Sequence, residues 1–300
     1  MKGEATPPVS GSDFVRSKWS SRITALAIAT TLVTFGAVTW LSFDTSPQGS
    51  VGPFPVVTTS PQAAYPAGEN DHANPSGKAP PAATALRGYT LSYVNDFTGS
   101  SLPTGWDAFS GVPSGLPGGQ FASDHVVVRG GVLRLDSRKD PRYGNVWVSG
   151  GVCQCGLRRT FGAYFVRSRL SAPGPNEAQL LWPASDVWPP EIDFNETGAS
   201  VRSTSWTVHW GSANHIDQRS IIIDMLTWHT WGVVWTPTSI IFTVDGKEWG
   251  SFTNARDIPK VPMSLHFEQL ASCSNTRYCP RVPASMLIDW VAEYSRTKAK

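Results

Sequence analysis

From Gly88 onward the chain is a succession of short apolar runs separated by Gly and Pro turns, with no sustained helical period. The segment HVVVRGGVLRLDS contains two such runs around Gly130–Gly131, a pattern typical of a hairpin. WGVVWTPTSIIFTVDGKEWGSF repeats this pattern, with turns at Thr236–Pro237 and Asp245–Gly246. The segment MLIDWVAEY is a further alternating strand. About 210 residues of this kind predict an all-β fold, a two-sheet β-sandwich of jelly-roll type.

The N-terminal region has a different composition. Residues 23–43 are uncharged at all 21 positions, which is long enough for a helix that crosses a bilayer. Arg16, Lys18 and Arg22 precede this segment, so we expect residues 1–22 to stay in the cytoplasm. A cleaved signal peptide is the alternative, although it would have a shorter apolar core and a small-x-small cleavage site. Either arrangement exports the rest of the chain, and an uncleaved anchor would hold it at the cell membrane.

Residues 44–87 are rich in Pro, Ala, Gly and Ser and contain few large apolar side chains. Such a composition cannot bury a core, and it predicts a disordered linker. The folded domain is therefore expected to occupy residues 88–297. The linker is long enough to lift that domain away from a membrane surface.

The composition restricts the class of ligand. The chain contains thirteen Trp residues, eleven of them after residue 100, which indicates either a large core or a surface that stacks flat ligands. Sugar rings have apolar faces that suit such a surface, and so do nucleobases. The net charge is only +2 and no basic block is present, so nucleic acid is not expected as a partner.

Three carboxylates interrupt the apolar run VWPPEIDFNETG: Glu191, Asp193 and Glu196. Ile192 and Phe194 alternate with the first two, so one strand face is apolar and the other acidic. Plain alternation would place Glu196 on the apolar face, whereas a one-residue bulge near residues 194–195 would return it to the acidic one. Acids on one face repel each other, but a glycosidase needs one ionised carboxylate and one protonated carboxyl.

This motif resembles the ExDxxE motif of glycoside hydrolase family 16, in its bulged, laminarinase-like form. Similar segments follow one another in the family's order over residues 93–294: NDFTGSSLPTGW, FGAYFVRSRLSA, LLWPASDVWPPEID, WTVHWG, WHTWGVVWTPTSIIFTVDGK and MLIDWVAEY. The chain looks like an actinobacterial, membrane-anchored member with a concanavalin A-like fold. The resemblance implies that Glu191 is the nucleophile and Glu196 the general acid/base. It also implies that Asp193 hydrogen-bonds the nucleophile and helps to hold the proton on Glu196.

The resemblance implies further site residues, each with a structural alternative. Trp182 and Trp188 would stack a glucosyl ring, or else lie in the core. His209 would contact the acids, whereas His229 would be structural. The remaining candidates are Arg167 at the cleft floor or at a solvated sheet edge, Gln269 facing the cleft, and Asp289 as a ligand of a structural Ca²⁺ or a surface residue.

The four cysteines fit no zinc pattern, because they form no CxxC pair and no His has a suitable spacing. A disulfide between Cys273 and Cys279 would close a short loop and is the simplest pairing. Cys153 and Cys155 would be about 6.5–7 Å apart in an extended segment, which is awkward for a mutual disulfide. For that pair, two buried thiols are the alternative.

The sequence therefore predicts a retaining, endo-acting glycoside hydrolase that cleaves β-1,3- or mixed β-1,3/1,4-linked glucan. A transglycosylase that remodels a wall polymer with the same site is one alternative, and a carbohydrate-binding sandwich with weak activity is another. We expect a polysaccharide as substrate, a monomer, and no required cofactor apart from the Ca²⁺ considered at Asp289.

Overall fold

A computed structural model describes residues 65–113, 118–271, 273 and 279–297 of the protein. These residues form two large antiparallel sheets and one two-stranded sheet, with two short 3-10 helices, Ser123–His125 and Pro141–Tyr143. The two large sheets enclose a common apolar core. The predicted all-β sandwich is confirmed.

The seven-stranded sheet consists of β4 (Asp107–Ala108), β8 (Gly151–Cys153), β10 (Asn176–Pro183), β11 (Glu191–Thr197), β12 (Ser203–Trp210), β13 (His215–Ile222) and β17 (Met263–Leu270). Its spatial order is β13-β12-β11-β10-β17-β8-β4, so β10 and β11 lie near its middle.

The nine-stranded sheet consists of β3 (Tyr89–Asn95), β5 (Val126–Val128), β6 (Leu133–Asp140), β7 (Val146–Ser149), β9 (Gly162–Leu170), β14 (His229–Trp235), β15 (Ile240–Val244), β16 (Lys247–Phe252) and β18 (Ala284–Arg296). Its spatial order is β16-β15-β14-β9-β18-β6-β5, with β3 paired to β18 and β7 paired to β6. Strands β1 (Glu69–Asn70) and β2 (Lys78–Ala79) pair with each other.

The core forms because alternate residues of facing strands are apolar. The seven-stranded sheet contributes Ile192 and Phe194 from β11 and Trp206 from β12. The Trp206 ring stacks on Phe242 of β15, with ring centroids 4.6 Å apart. Side chains between these apolar positions point away from the core, and we call that side the outer face of the seven-stranded sheet.

Residues 65–87, which we call the N-terminal strap, pack on the outer side of the nine-stranded sheet. The Tyr294 hydroxyl donates to the Ala82 carbonyl (2.8 Å), and the Trp290 indole donates to the Lys78 carbonyl (3.0 Å). Leu86 is buried in an apolar cluster with Trp290 and Tyr294. The linker prediction was therefore wrong for this part, because the strap covers apolar side chains of β18 that would otherwise meet water.

Both cysteine pairs are disulfides. Cys273 and Cys279 are joined, as the sequence predicted. Cys153 and Cys155 are also joined, with Cα atoms 5.1 Å apart. The expectation of an awkward pair assumed an extended segment, but β8 ends at Cys153 and the chain turns at residues 155–156, which shortens the distance.

Within the described ranges, no helix has the length and apolar character needed to cross a membrane. The predicted anchor at residues 23–43 and the first part of the predicted linker, residues 44–64, lie outside those ranges.

Candidate active site

The predicted bulge is present in β11. On one side, Asp193 and Glu196 pair with Thr207 and Ser205 of β12, so three steps along β11 match two along β12. On the other side, the register with β10 shifts at the same place. One residue is therefore extra, and Glu196 returns to the outer face that holds Glu191 and Asp193.

The three carboxyl groups have different hydrogen-bond partners. The indole N–H of Trp188 donates to Glu191 Oε2 at 2.7 Å. Asn176 Nδ2 and Thr207 Oγ1 each lie 3.4 Å from a carboxyl oxygen of Glu196. Glu191 therefore has a short, strong donor, whereas the two contacts of Glu196 with described side chains are long.

All three carboxyl groups have raised pKa values. Burial is the main cause in each case, and repulsion from Glu196 adds to it at Glu191 and Asp193. The pKa of Asp193 is raised well above its ordinary value by burial and then by repulsion from Glu191 and Glu196. A protonated Asp193 donates a hydrogen bond to Glu191, which favours negative charge on Glu191. The cluster thus holds protons at neutral pH, as a mixed acid and base pair requires.

His209 and Trp188 complete one end of the cluster. His209 Nε2 lies 3.6 Å from Asp193 Oδ2, and its Nδ1 lies 2.9 Å from Asn214 Oδ1. Burial lowers the pKa of His209, so the ring is neutral at neutral pH. The rings of Trp188 and His209 are 5.6 Å apart. The structure thus brings both predicted residues beside the acids.

Strand β17 adds two outer-face residues that sequence reasoning missed. Glu268 and Glu196 both pair with Ala178 of β10, one from each side, and Glu268 repels Glu191 and Asp193.

The second residue is His266. Its ring lies 6.4 Å from the Trp182 ring, and its Nε2 is 2.9 Å from Ser264 Oγ. Burial lowers the pKa of His266 to about 3, so the ring is neutral. The period-two pattern, with Leu265 and Phe267 apolar, could have indicated both residues.

Gln269 does not face this site. It is buried next to the core, and its amide, oriented to satisfy its neighbours, donates to the Leu135 carbonyl (2.9 Å) and accepts from Met286 N (3.0 Å). The prediction was wrong by one residue, because a shift of one position along a strand reverses the face.

Arg167 is also remote from the acids. It lies on β9 of the nine-stranded sheet and points to the N-terminal strap, with Nε 3.2 Å from Ser76 Oγ and Nη1 3.4 Å from Asp245 Oδ1. The cleft-floor prediction was therefore wrong.

His229 was predicted to be structural. Its Nδ1 lies 2.6 Å from Asp245 Oδ2, and its Nε2 lies 2.8 Å from Thr227 Oγ1.

Asp289 is the residue considered for Ca²⁺. Its side chain is buried, and its Oδ2 accepts the Ser76 N–H at 3.1 Å. Burial raises its pKa, although the hydrogen bonds from Ser76 and the charge of Arg167 oppose this rise. Ca²⁺ prefers six to eight oxygen ligands. Asp289 Oδ1 is buried without a hydrogen-bond partner among the described residues, whereas Oδ2 already has a donor. The surface alternative was therefore wrong, and Ca²⁺ binding at Asp289 stays a prediction.

Two groups of side chains have the spacing of metal ligands among the residues the structure describes. One atom each of Glu191, Asp193 and His209 lies within 4.8 Å of the others, and the second group is Cys153, Cys155 and His266. The two thiols of the second group are consumed by their disulfide. In the first group, the hydrogen bonds to Trp188 and Asn214 already define the orientation of two members.

The titration of Glu268 gives a prediction for stability. Burial, followed by repulsion from Glu196, raises its pKa from 4.5 to about 7. Between these two pH values, Glu268 keeps its proton in the folded protein but has released it in the unfolded chain. The contribution of Glu268 to stability is therefore complete below pH 4.5 and is lost as the pH rises to about 7. Glu268→Gln removes the titration. Between pH 4.5 and about 7, the free energy of unfolding of this variant should therefore rise relative to that of the wild type by on the order of 2 kcal/mol.

Thermal unfolding of both proteins at several pH values measures this difference. The matched control is Glu248→Gln, which makes the same charge change at an exposed position of β16. Parallel curves for Glu268→Gln and the wild type would contradict the prediction.

Comparisons with known proteins agree with this fold. The chain is 29% identical over 150 residues to a β-glucanase of Rhodothermus marinus, an alignment that covers 44% of this chain and 52% of the relative. It is 33% identical over 92 residues to the endo-1,3-1,4-β-glycanase ExsH of Rhizobium meliloti, covering 29% of this chain and 20% of that protein. The chain thus spans about half of the first relative and a fifth of the second.

Solved structures resemble the described sandwich. The laminarinase of Rhodothermus marinus superposes with a TM-score of 0.63 at 21% identity, covering 70% of this chain and 98% of that one. The endo-β-1,3-glucanase of Pyrococcus furiosus gives a TM-score of 0.61 at 21% identity, covering 70% and 96%. The family model of glycosyl hydrolases family 16 matches residues 120–292, which include the acidic strand β11 and most of both sheets. The chain belongs to glycosyl hydrolase family 16.

Proposed function

We propose that the protein is a retaining endo-glycosidase that cleaves β-1,3- or mixed β-1,3/1,4-linked glucan. The observation that supports this most directly is the bulge in β11, which places Glu196 on the same face as Glu191 and Asp193. Without the bulge, the second Glu would point into the core and no acid/base partner would face the nucleophile. Membership in the glycosidase family, the β-glucanase relative and the endo-1,3-1,4-β-glycanase relative support the same class of reaction.

The proposed reaction has two steps. In its charged form, Glu191 accepts hydrogen bonds from the Trp188 indole and a protonated Asp193 and attacks the anomeric carbon, while Glu196 gives its proton to the departing oxygen. A glycosyl ester on Glu191 and a free sugar hydroxyl result. Glu196, now a carboxylate, removes a proton from water, which attacks the ester and restores both groups. A sugar hydroxyl in place of water would give transglycosylation at the same site.

A neutral polymer fits this face better than an anionic one. The half-buried indole rings of Trp182 and Trp188 offer flat apolar surfaces beside the acids. Glu268 adds a fourth carboxyl group, so sulfated or uronic acid chains would be repelled wherever these groups are charged. The lectin-like alternative is weaker, because a binding surface has no use for three mutually repelling acids.

A reducing-sugar assay tests the proposal with laminarin, lichenan, agarose, carrageenan and galactan as substrates. We expect activity on laminarin or lichenan and none on carrageenan. Appearance of longer oligosaccharides in the products would favour transglycosylation. Binding to a glucan without any bond cleavage would favour the lectin-like sandwich and contradict the proposal.

Substitutions at the two Glu residues should behave differently. Each Ala variant should lower the rate on glucan by roughly 10²–10⁴-fold. With an activated substrate, azide should rescue Glu191→Ala with inverted configuration, because the anion attacks from the side of the missing nucleophile. Azide should rescue Glu196→Ala with retained configuration, because it intercepts the glycosyl ester on Glu191.

Asp193→Asn is the matched probe of the middle acid. It should leave the fold unchanged, lower the rate and shift the acidic limb of the pH–rate profile, because the amide can still donate to Glu191 but can no longer exchange a proton within the coupled cluster. Near-native turnover of glucan by Glu196→Ala would contradict the assigned roles.

We also propose that residues 23–43 anchor the protein in the membrane with the catalytic domain outside the cell. The uncharged length of this segment and the preceding basic residues support this arrangement. The full-length protein should fractionate with membranes and resist a carbonate wash. A mature N-terminus mapped beyond residue 43 on the exported protein would show cleavage instead.

A further inference from the structure

A buried carboxyl group lies on the core side of β10, the strand next to β11. Glu177 follows Asn176 on β10 and points toward the core side, opposite to the acids, and it is only 1% exposed. Its Oε1 accepts from Gln179 Nε2 at 2.9 Å and from Asn195 Nδ2 at 3.0 Å. The proposed reaction uses none of these side chains. No described residue forms a salt bridge with Glu177, and burying such an acid is costly.

Asn195 connects the Glu177 carboxyl group to the bulge through this hydrogen bond. It lies between Asp193 and Glu196, where the register with both neighbouring strands shifts. From the opposite side, Thr204 Oγ1 of β12 lies 2.6 Å from Asn195 Oδ1 and 3.0 Å from the Glu196 carbonyl oxygen. The side chains of Glu177 and Thr204 thus hold the bulge from two adjacent strands.

The surroundings of Glu177 suit a protonated carboxyl group. Burial raises its pKa to about 8, with a smaller contribution from repulsion by Glu196. Its Oε2 is buried without a hydrogen-bond partner in the described part of the chain, and so are two acceptor oxygens, Gln179 Oε1 and Thr197 Oγ1. Thr197 is the register partner of Glu177 on β11. A proton on Oε2 could therefore serve an acceptor that otherwise has no donor.

We propose that Glu177 is a positioning residue that, through Asn195, fixes the bulge and so aims Glu196 at the scissile bond. The inference rests on the proposed glycosidase function. Because a bulge inserts one unpaired residue into the ladder, its conformation depends on side-chain contacts more than that of a regular strand does. Hydrogen bonds from both neighbouring strands supply those contacts here.

Three variants separate positioning from general stability. Glu177→Gln keeps an oxygen that accepts from Asn195, and its amide N–H can serve the unpaired acceptors, so kcat should stay within about threefold of the wild type. Glu177→Leu removes both hydrogen bonds, and kcat should fall about 10- to 100-fold with KM within about twofold. Ile240→Ala, in the core on β15, is the matched control that lowers the melting temperature without touching the bulge.

A double-mutant cycle tests whether Glu177 acts through Glu196. With an activated substrate and azide, Glu177→Leu should add less than about a twofold loss in the Glu196→Ala background. An equal loss in both backgrounds would overturn the proposal. So would a loss of kcat in Glu177→Leu no larger than in Ile240→Ala, or a Glu177→Gln variant as slow as Glu177→Leu.

A measurement without substrate keeps this result separate from the proposed function. Amide hydrogen exchange at residues 194–197 should accelerate in Glu177→Leu but not in Ile240→Ala at equal distance below the melting temperature. If the wild type cleaves no glucan, the proposed function fails, and faster exchange at the bulge alone would still support the fixing of Asn195. Unchanged exchange there would overturn the positioning role.

Discussion

The structure of this site depends on one extra residue in one strand. A strand presents alternate residues to alternate faces, and this rule would send Glu196 into the core beside Ile192 and Phe194. The bulge between Asp193 and Glu196 breaks the alternation once, so the apolar positions stay inside and a third acid is added outside. The proposed chemistry depends on that single interruption, because a double displacement needs two carboxyl groups on the same side of the sheet.

The polar groups on the two faces of β11 act differently: those on the outer face set the protonation of the acids, and those on the inner face hold the bulge. On the outer face, burial and mutual repulsion keep the acids partly protonated, and the Trp188 indole favours charge on Glu191. On the inner face, the side chains of Glu177 and Thr204 hold Asn195, which lies within the bulge. Both arrangements bury carboxyl groups at a cost in stability, which the apolar core between the sheets offsets.

Much of this could be predicted from the sequence, because the strands alternate clearly and the acidic motif stands out in an apolar run. The failures have specific physical causes. In β17 the alternation of Leu265 and Phe267 with His266 and Glu268 places Gln269 on the inner face, and the prediction for Gln269 failed because it followed the family resemblance instead of this alternation. Composition suggested a linker up to residue 87, although Trp290 and Tyr294 make the outer side of β18 apolar and in need of a cover. The packing of residues 65–87 on β18 is a tertiary contact between distant parts of the chain, and the local sequence pattern does not reveal it.

The central claim is that Glu191 and Glu196 act from the same face in a double displacement. Proton NMR of the anomeric region during cleavage of a soluble β-glucan oligosaccharide by the wild-type protein tests it most directly. The account predicts that the β-anomer of the new reducing end appears first and that the α-anomer grows in later by mutarotation, since two inversions retain configuration. Initial release of the α-anomer would show a single displacement by water and would contradict the assignment of Glu191 as nucleophile.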